Sequence, residues 1–272
     1  MSPSGSRVLS RWRAAGIHLG ASFALALLAG LLIFGLWYPQ PYTQAAGADR
    51  LVMLLISIDL VLGPLLTLIV YKHGKRGMAF DIVFIAVVQL AALIYGLIVI
   101  SQSRPVFIVV TKDVTYLTSA RDLAEADLAA AQEAAFRKPS WFGPVMVAAP
   151  PPDSAAGREE VLTSGMAGKD INVLPKYFRP FAGWGAEMIQ HARPLQALAN
   201  IPAAREKVAS FVTEHGLPID RLSFQPLRGR DPEKDFTLVF DREKSLVLGV
   251  IQTDPWPAMK SVPETDLDDT HR

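Results

Sequence analysis

A chain of 272 residues, half of them hydrophobic and with a mean hydropathy of +0.25, leans towards a membrane protein. Its 27 basic and 26 acidic residues nearly cancel, and no basic stripe offers itself to a nucleic acid. The lack of cysteine excludes disulfides, a thiol nucleophile and cysteine-ligated metals.

The apolarity is uneven. Residues 1–100 hold seven Lys or Arg and three acids, whereas residues 101–272 hold 20 basic and 23 acidic side chains. A hydrophobic, basic-flanked third therefore precedes an ordinary, slightly acidic globular part. Residues 1–13 form a short basic tail without an acid. Residues 14–37 follow as a mostly apolar run, longer than the core of a signal peptide, which spans about 7–15 residues. Trp37-Tyr38-Pro39 closes it with an interface anchor and a helix stop, so a retained transmembrane helix is expected. Ala45-Ala46-Gly47 is a cleavage pattern in principle, and Gly16-x-x-x-Gly20 is a candidate close-packing face.

Residues 51–71 make a second expected span, and within it Ser57–Val70, SIDLVLGPLLTLIV, carries one carboxylate. An acid at mid-membrane depth is costly, so Asp59 must face protein or water. It is either a functional group or a structural acid hydrogen-bonded to a neighbouring helix. Gly63-Pro64 follows it. Pro64 cannot donate to the carbonyl of Leu60, which predicts a kink there. A basic turn, Lys72–Gly77, leads to a third expected span at residues 80–100, with Asp81 at its start and Gln89 inside.

Positive charge in the tail and the turn, against a nearly neutral first connection, places both on the cytoplasmic side. Three spans then carry the rest of the chain to the periplasm of a Gram-negative cell. Asp59 lies about 16 Å and Gln89 about 13 Å from the cytoplasmic ends of their helices at 1.5 Å per residue. The two come to similar depth and are expected to pair. Asp59 and Asp81 are about 15 Å apart in depth, too far for a paired-aspartate protease.

From residue 104 the pattern predicts one α+β domain reaching residue 257. Residues 105–117 read as a strand bent at Lys112-Asp113, residues 119–136 as an Ala-rich helix, and residues 141–149 as a second strand. A helix is expected over 154–164, an irregular aromatic stretch over 171–184, and short helices over 193–199 and 203–215. Three strands at 222–227, 235–240 and 246–251 follow, the last two joined by a turn at 241–244. Residues 258–272 read as a disordered polar tail. Tyr177, Phe178, Phe181 and Trp184 are either domain core or a partner-binding face. No nucleophile elbow, phosphate loop, HExxH or dinucleotide fingerprint is present, so no catalytic, cofactor or metal residue is assigned.

Several segments resemble one known family. They are RWRAAGIHL at 11–19, WYP at 37–39, DLVLGPLLTLIV at 59–70, and FDI with QLAALIYG between 80 and 96. Further on come RP at 104–105, DINVLPKYFRPF at 170–181, RPL at 193–195 and LVLGVIQTDPW at 246–256. Together they resemble the type IV pilin accessory proteins of the TfpX/TfpZ group, related to FimB. Lys112-Asp113-Val114 stands where that family has aspartate–arginine–phenylalanine, so no role resting on that arginine carries over. The resemblance implies a non-enzymatic inner-membrane protein that helps a cognate type IV pilin reach the assembly machinery. A membrane transferase that modifies pilin is the competing expectation. A sensor is disfavoured, because no cytoplasmic output module is predicted.

Overall fold

The computed structural model of the protein describes residues 10–72, 76–230 and 234–260. The basic tail before residue 10, Lys75 of the basic turn and the polar tail from residue 261 lie outside the described residues. The chain forms two compact units. One comprises the chain up to Trp37 together with Ala48–Ser103; the other comprises Tyr38–Gly47 and the chain from Arg104 onward.

In the helical unit, α1 (Arg11–Leu32) starts where the Ser10 hydroxyl accepts the Arg13 amide, and it runs on into a π-helical turn at Ile33–Trp37. The segment α2 (Ala48–Ser57) meets α3 (Gly63–Val70) through a second π turn, Ile58–Leu62. Helix α4 spans Met78–Ser103. Arg11–Trp37 and Met78–Ser103 are long and apolar enough to cross a membrane, whereas the apolar stretch Leu55–Val70 is shorter. Length and composition thus support two of the three expected spans. Gly16 and Gly20 have open space where a Cβ would stand, so they form no packing face. Ala15, Ser22 and Ala29 are buried instead, a seven-residue repeat of small side chains along α1.

The second unit is built on a mixed eight-stranded sheet of order β4-β3-β1-β2-β6-β7-β8, with β5 also paired to β6. The expected strand at 105–117 is a hairpin, β1 (Pro105–Val110) and β2 (Thr115–Ser119). The intervening turn lacks glycine and proline. It closes because the Thr111 amide and hydroxyl both donate to the Val114 carbonyl, at 3.1 and 2.6 Å. The helix expected over 119–136 breaks into two 3₁₀ turns around α5 (Glu125–Ala129). A Ser119–Asp122 capping box opens the first turn, and the buried residues Leu123, Leu128 and Phe136 do not follow a 3.6-residue period. Strand β3 (Val145–Ala148) starts four residues later than expected and leaves Trp141 outside the sheet.

Helix α6 (Ala155–Met166) stands where a helix is expected, capped by Ser154, whose hydroxyl accepts the Gly157 amide. The stretch at 171–184 is less irregular than expected. After two 3₁₀ turns and the short β4 (Arg179–Pro180), it continues into α7 (Phe181–Ile189). Strand β5 (Arg193–Pro194), α8 (Leu195–Ala199) and α9 (Pro202–His215) follow, and Gly216 ends α9 in the left-handed region at φ 62°. The three C-terminal strands stand where alternation and turn chemistry place them: β6 (Leu222–Arg228), β7 (Phe236–Asp241) and β8 (Leu246–Ile251). A final turn of helix, α10 (Trp256–Lys260), begins the expected tail.

Two hydrophobic cores flank the sheet. One gathers Val106, Phe107, Val147, Phe136 and Phe178; the other gathers Leu195, Leu198, Phe211, Phe224 and Val239. The half-sheets meet along the short parallel pairing Thr115↔Leu227 and Tyr116↔Arg228. Gln225, 1% exposed, bridges the seam. Its amide lies within donor reach of the Thr111, Lys112 and Met188 carbonyls, and it accepts from the Thr115 hydroxyl at 2.8 Å.

The β7–β8 turn is held by Asp241. It accepts two bonds from the Arg221 guanidinium, at 2.9 and 2.6 Å, and caps the amides of Glu243 and Lys244. The Arg221 hydrogen bonds, helped by those two amides against the cost of burial, hold the Asp241 carboxyl down to about 2. A depressed carboxylate contributes stability above its unfolded pKa of about 4 and loses it as the pH falls towards 2. Asp241→Asn should therefore be less stable than the parent at pH 7, with the gap closing by about pH 2. Thermal unfolding of the full chain across that range measures it, and a gap independent of pH would contradict the assignment.

Candidate functional site

Asp59 sits in the π turn between α2 and α3, and the turn explains its surroundings. In a π turn the carbonyl of residue i looks to the amide of residue i+5. For Asp59 that residue is Pro64, which has no N–H. The Asp59 carbonyl is the group that the Gln89 side chain of α4 reaches, with Nε2 donating to it at 3.4 Å. Asp59 and Gln89 do come together, but through a backbone oxygen rather than the expected side-chain pair. Asp59 Oδ1 and Gln89 Oε1 are both buried without a hydrogen-bond partner. Gly63 makes the approach possible, since a Cβ there would run into the Gln89 amide.

Both residues line a cavity of about 390 Å³ within the helical unit, bounded by α1, the Ile58–Val70 segment and α4. Its walls are mostly apolar, with Ala14, Ala21 and Ala86 leaving room. Its polar groups are His18, Ser22, Asp59, Thr67, Tyr71 and Gln89. His18 Nδ1 and Thr67 Oγ1 lie 2.6 Å apart and tie α1 to α3. Sequence reasoning singles out Asp59 and Gln89 but not His18. The signal was present, because an imidazole in an apolar helix is as anomalous as a carboxylate. Chemically the site is an acceptor. Asp59 Oδ1 and Gln89 Oε1 are buried in the wall of an apolar cleft, the latter against Gly63, and each buried oxygen without a donor costs about 1–3 kcal/mol. Among the described residues no three His, Asp or Glu side chains gather into a metal site.

The aromatic set divides. Phe178 is fully buried and packs edge-on against Phe107 at 5.2 Å, so it belongs to the core and not to a binding face. Tyr177 packs against that core and donates to Glu160 at 3.0 Å. Phe181 and Trp184 are half-buried on α7. The four do not form one exposed surface.

A second arrangement was not legible in the sequence. Tyr38–Gly47, the connection between the first two helices, is part of the α+β unit. Tyr38 and Ala45 are fully buried, the Thr43 hydroxyl donates to the Tyr38 carbonyl, and the Arg230 amide donates to the Ala45 carbonyl at 3.0 Å. Burial pushes the Tyr38 and Tyr42 hydroxyls up to about 12, keeping both neutral.

Apolar helices lining a polar cleft, with an α+β unit that includes the first helical connection, define a two-unit protein with an apolar helical part. A family model described as "Fimbrial assembly protein FimB" matches residues 6–47. Among curated relatives from Dichelobacter nodosus, "Fimbrial assembly protein, serogroup E1" is 29% identical over 248 residues, covering 90% of this chain and 96% of the relative. The serogroup I protein matches to the same extent. "Fimbrial assembly protein, serogroups C1 and C2" is 38% identical over 119 residues, 43% of this chain and 91% of the relative. The chain belongs to the FimB family of fimbrial assembly proteins. No solved structure matches it.

The contact at Gly63 is open to a direct test. Gly63→Val should destabilise the chain by about 1–3 kcal/mol through overpacking against Gln89. Adding Gln89→Ala should recover part of that loss, because it removes the obstructing amide. A double-mutant cycle on detergent-solubilised protein reads the coupling, and strictly additive effects would show that the two residues do not meet.

Proposed function

We propose that this protein is a non-enzymatic inner-membrane accessory factor for type IV pilus biogenesis, binding a cognate pilin and promoting its assembly or surface display. The observation that carries this reading is the match to two fimbrial assembly proteins over nearly their whole length. The apolar helices and the cleft support it. A pilin before assembly is itself a membrane protein with one apolar helix and an extracytoplasmic head. A partner anchored in the same bilayer meets it at raised effective concentration. In this reading a partner helix docks at the cleft and brings a hydrogen-bond donor to one of the two buried oxygens once the wall around it shifts.

Chain connectivity supports three crossings. Tyr38–Gly47 and the chain from Arg104 fold into one unit, so both lie on the same side of the membrane. The intervening Ala48–Ser103 must then cross an even number of times, and with α4 as one crossing the interrupted α2–α3 segment supplies the other. The positive-inside rule sets this side as periplasmic. Reporter fusions after Lys72 should behave as cytoplasmic, and fusions after Gly47 or at the C-terminus as periplasmic. A cytoplasmic C-terminus would overturn this topology.

Deleting the gene should lower surface pili while cellular pilin persists, since the proposed step lies between pilin insertion and assembly. Pilin should also crosslink to the protein in the membrane. Normal pili whose subunits have lost a covalent modification would reject this reading in favour of a transferase.

A further inference from the structure

We propose that the Trp141–Phe142 tip of the α+β unit is a second membrane contact, inserting into the interface of the bilayer that α4 spans. The proposal rests on the membrane reading of α4. Both side chains stand out from the unit, Trp141 at 59% and Phe142 at 80% exposure. They sit on a short loop between Pro139 and Pro144, next to the basic pair Arg137-Lys138. The Phe142 amide donates to the Ser140 hydroxyl, which shapes the tip.

Three observations fix where the tip lies. Arg104 follows Ser103, the last residue of α4, directly in the chain. Its Nε donates to the Ser140 carbonyl at 3.1 Å, and its guanidinium lies over the Trp141 ring, 4.3 Å from the centroid. The sheet agrees independently. Strands β1 and β3 are parallel with Phe107 opposite Val145, so residues 141–144 run beside the residues through which β1 leaves the helix.

Counted from Ile100, where the expected span ends, Arg104 is four residues on, or about 6 Å at helical rise. That is headgroup depth, the layer where tryptophan and other amphipathic aromatics partition. A guanidinium stacked on the indole orients the ring, while the more exposed phenyl ring beside it is left to enter the apolar side. A tip of one indole and one phenyl with a basic flank matches a lipid interface. The consequence is orientational: chain connections at residues 37–38, 47–48 and 103–104 join the unit to the helices, and the tip adds a direct contact with the bilayer that limits its tilt.

The natural chain has no cysteine, so single-cysteine variants label cleanly. Phe142→Cys, carrying a nitroxide in the full chain in phosphatidylethanolamine–phosphatidylglycerol liposomes, should collide preferentially with oxygen over a water-soluble nickel complex. Glu159→Cys on α6 should show the reverse, and Leu90→Cys in α4 should favour oxygen strongly. Adding Arg104→Gln should lower the oxygen preference at position 142, because the loop loses its tie. A Phe142 label that reads like Glu159, while Leu90 reads as lipid, overturns the proposal and leaves the membrane reading intact. An aqueous Leu90 label overturns both. A Phe142 label shielded from both reagents means protein covers the tip, and also overturns it. If Phe142→Cys does not fold, Trp141→Cys carries the same readout.

Discussion

One buried amide holds the α+β unit together. Gln225 sits where two half-sheets share only two residue pairs, a seam too short to be stable on ladder bonds alone. Its amide nitrogen lies within donor reach of two turn carbonyls, Thr111 and Lys112, and one helix carbonyl, Met188, and its oxygen accepts from the Thr115 hydroxyl. The Thr115 hydroxyl and the Gln225 amide are buried, and a buried polar group left without a partner costs about 1–3 kcal/mol. The bonds fix the β1–β2 hairpin against β6 and, through Met188, the end of α7. Just past the end of β6, Gly229 has no room for a Cβ against the Ala45 carbonyl, and the Arg230 amide donates to that carbonyl.

That dependence explains what a sequence reader sees and misses. Strands β6, β7 and β8 were legible because their signals are local: alternation, β-branched content and an Asp-led turn that binds its own backbone. The β1–β2 reversal was not, because Thr111–Val114 turns without glycine, proline or asparagine and relies on a threonine hydroxyl and the remote Gln225. Alanine richness at 119–136 argued for helix locally, while the core took residues at spacings that no single helix presents. Helix α7 was hidden by two prolines, although Pro180 stands just before the first turn, where its missing amide costs nothing.

The site was half legible. Asp59 and Gln89 announce themselves as polar groups in apolar runs. Their actual contact, a glutamine amide on a backbone carbonyl, exists because a π turn makes Pro64 the absent donor. No side-chain pattern encodes that register. The matched family segment, residues 6–47, covers both features that sequence reasoning passed over: His18, which ties α1 to α3, and the Tyr38–Gly47 connection that folds into the α+β unit. The two roles differ. His18 bounds the cleft from within the helical unit, whereas the connection makes α1 and the chain after α4 issue from one folded body.

Magnitudes divide the labour between the units. Measured hydrogen bonds between transmembrane helices average about 0.6 kcal/mol and reach about 1.7, because unpaired groups find other partners in the membrane. A donor that enters the acceptor cleft therefore gains roughly a factor of 3 to 20 in binding, at 1.4 kcal/mol per tenfold. That favours a helix bearing a donor over one without, but it cannot separate two partners whose helices carry the same group. Discrimination of that kind needs surfaces that differ between partners, and only the extracytoplasmic heads provide them. If the proposed tip contact limits the tilt of the α+β unit, the unit loses less rotational freedom on meeting such a head than one that tilts freely on its chain connections. On the proposed reading, the cleft supports recruitment of an assembly partner and the α+β unit supports the choice among partners.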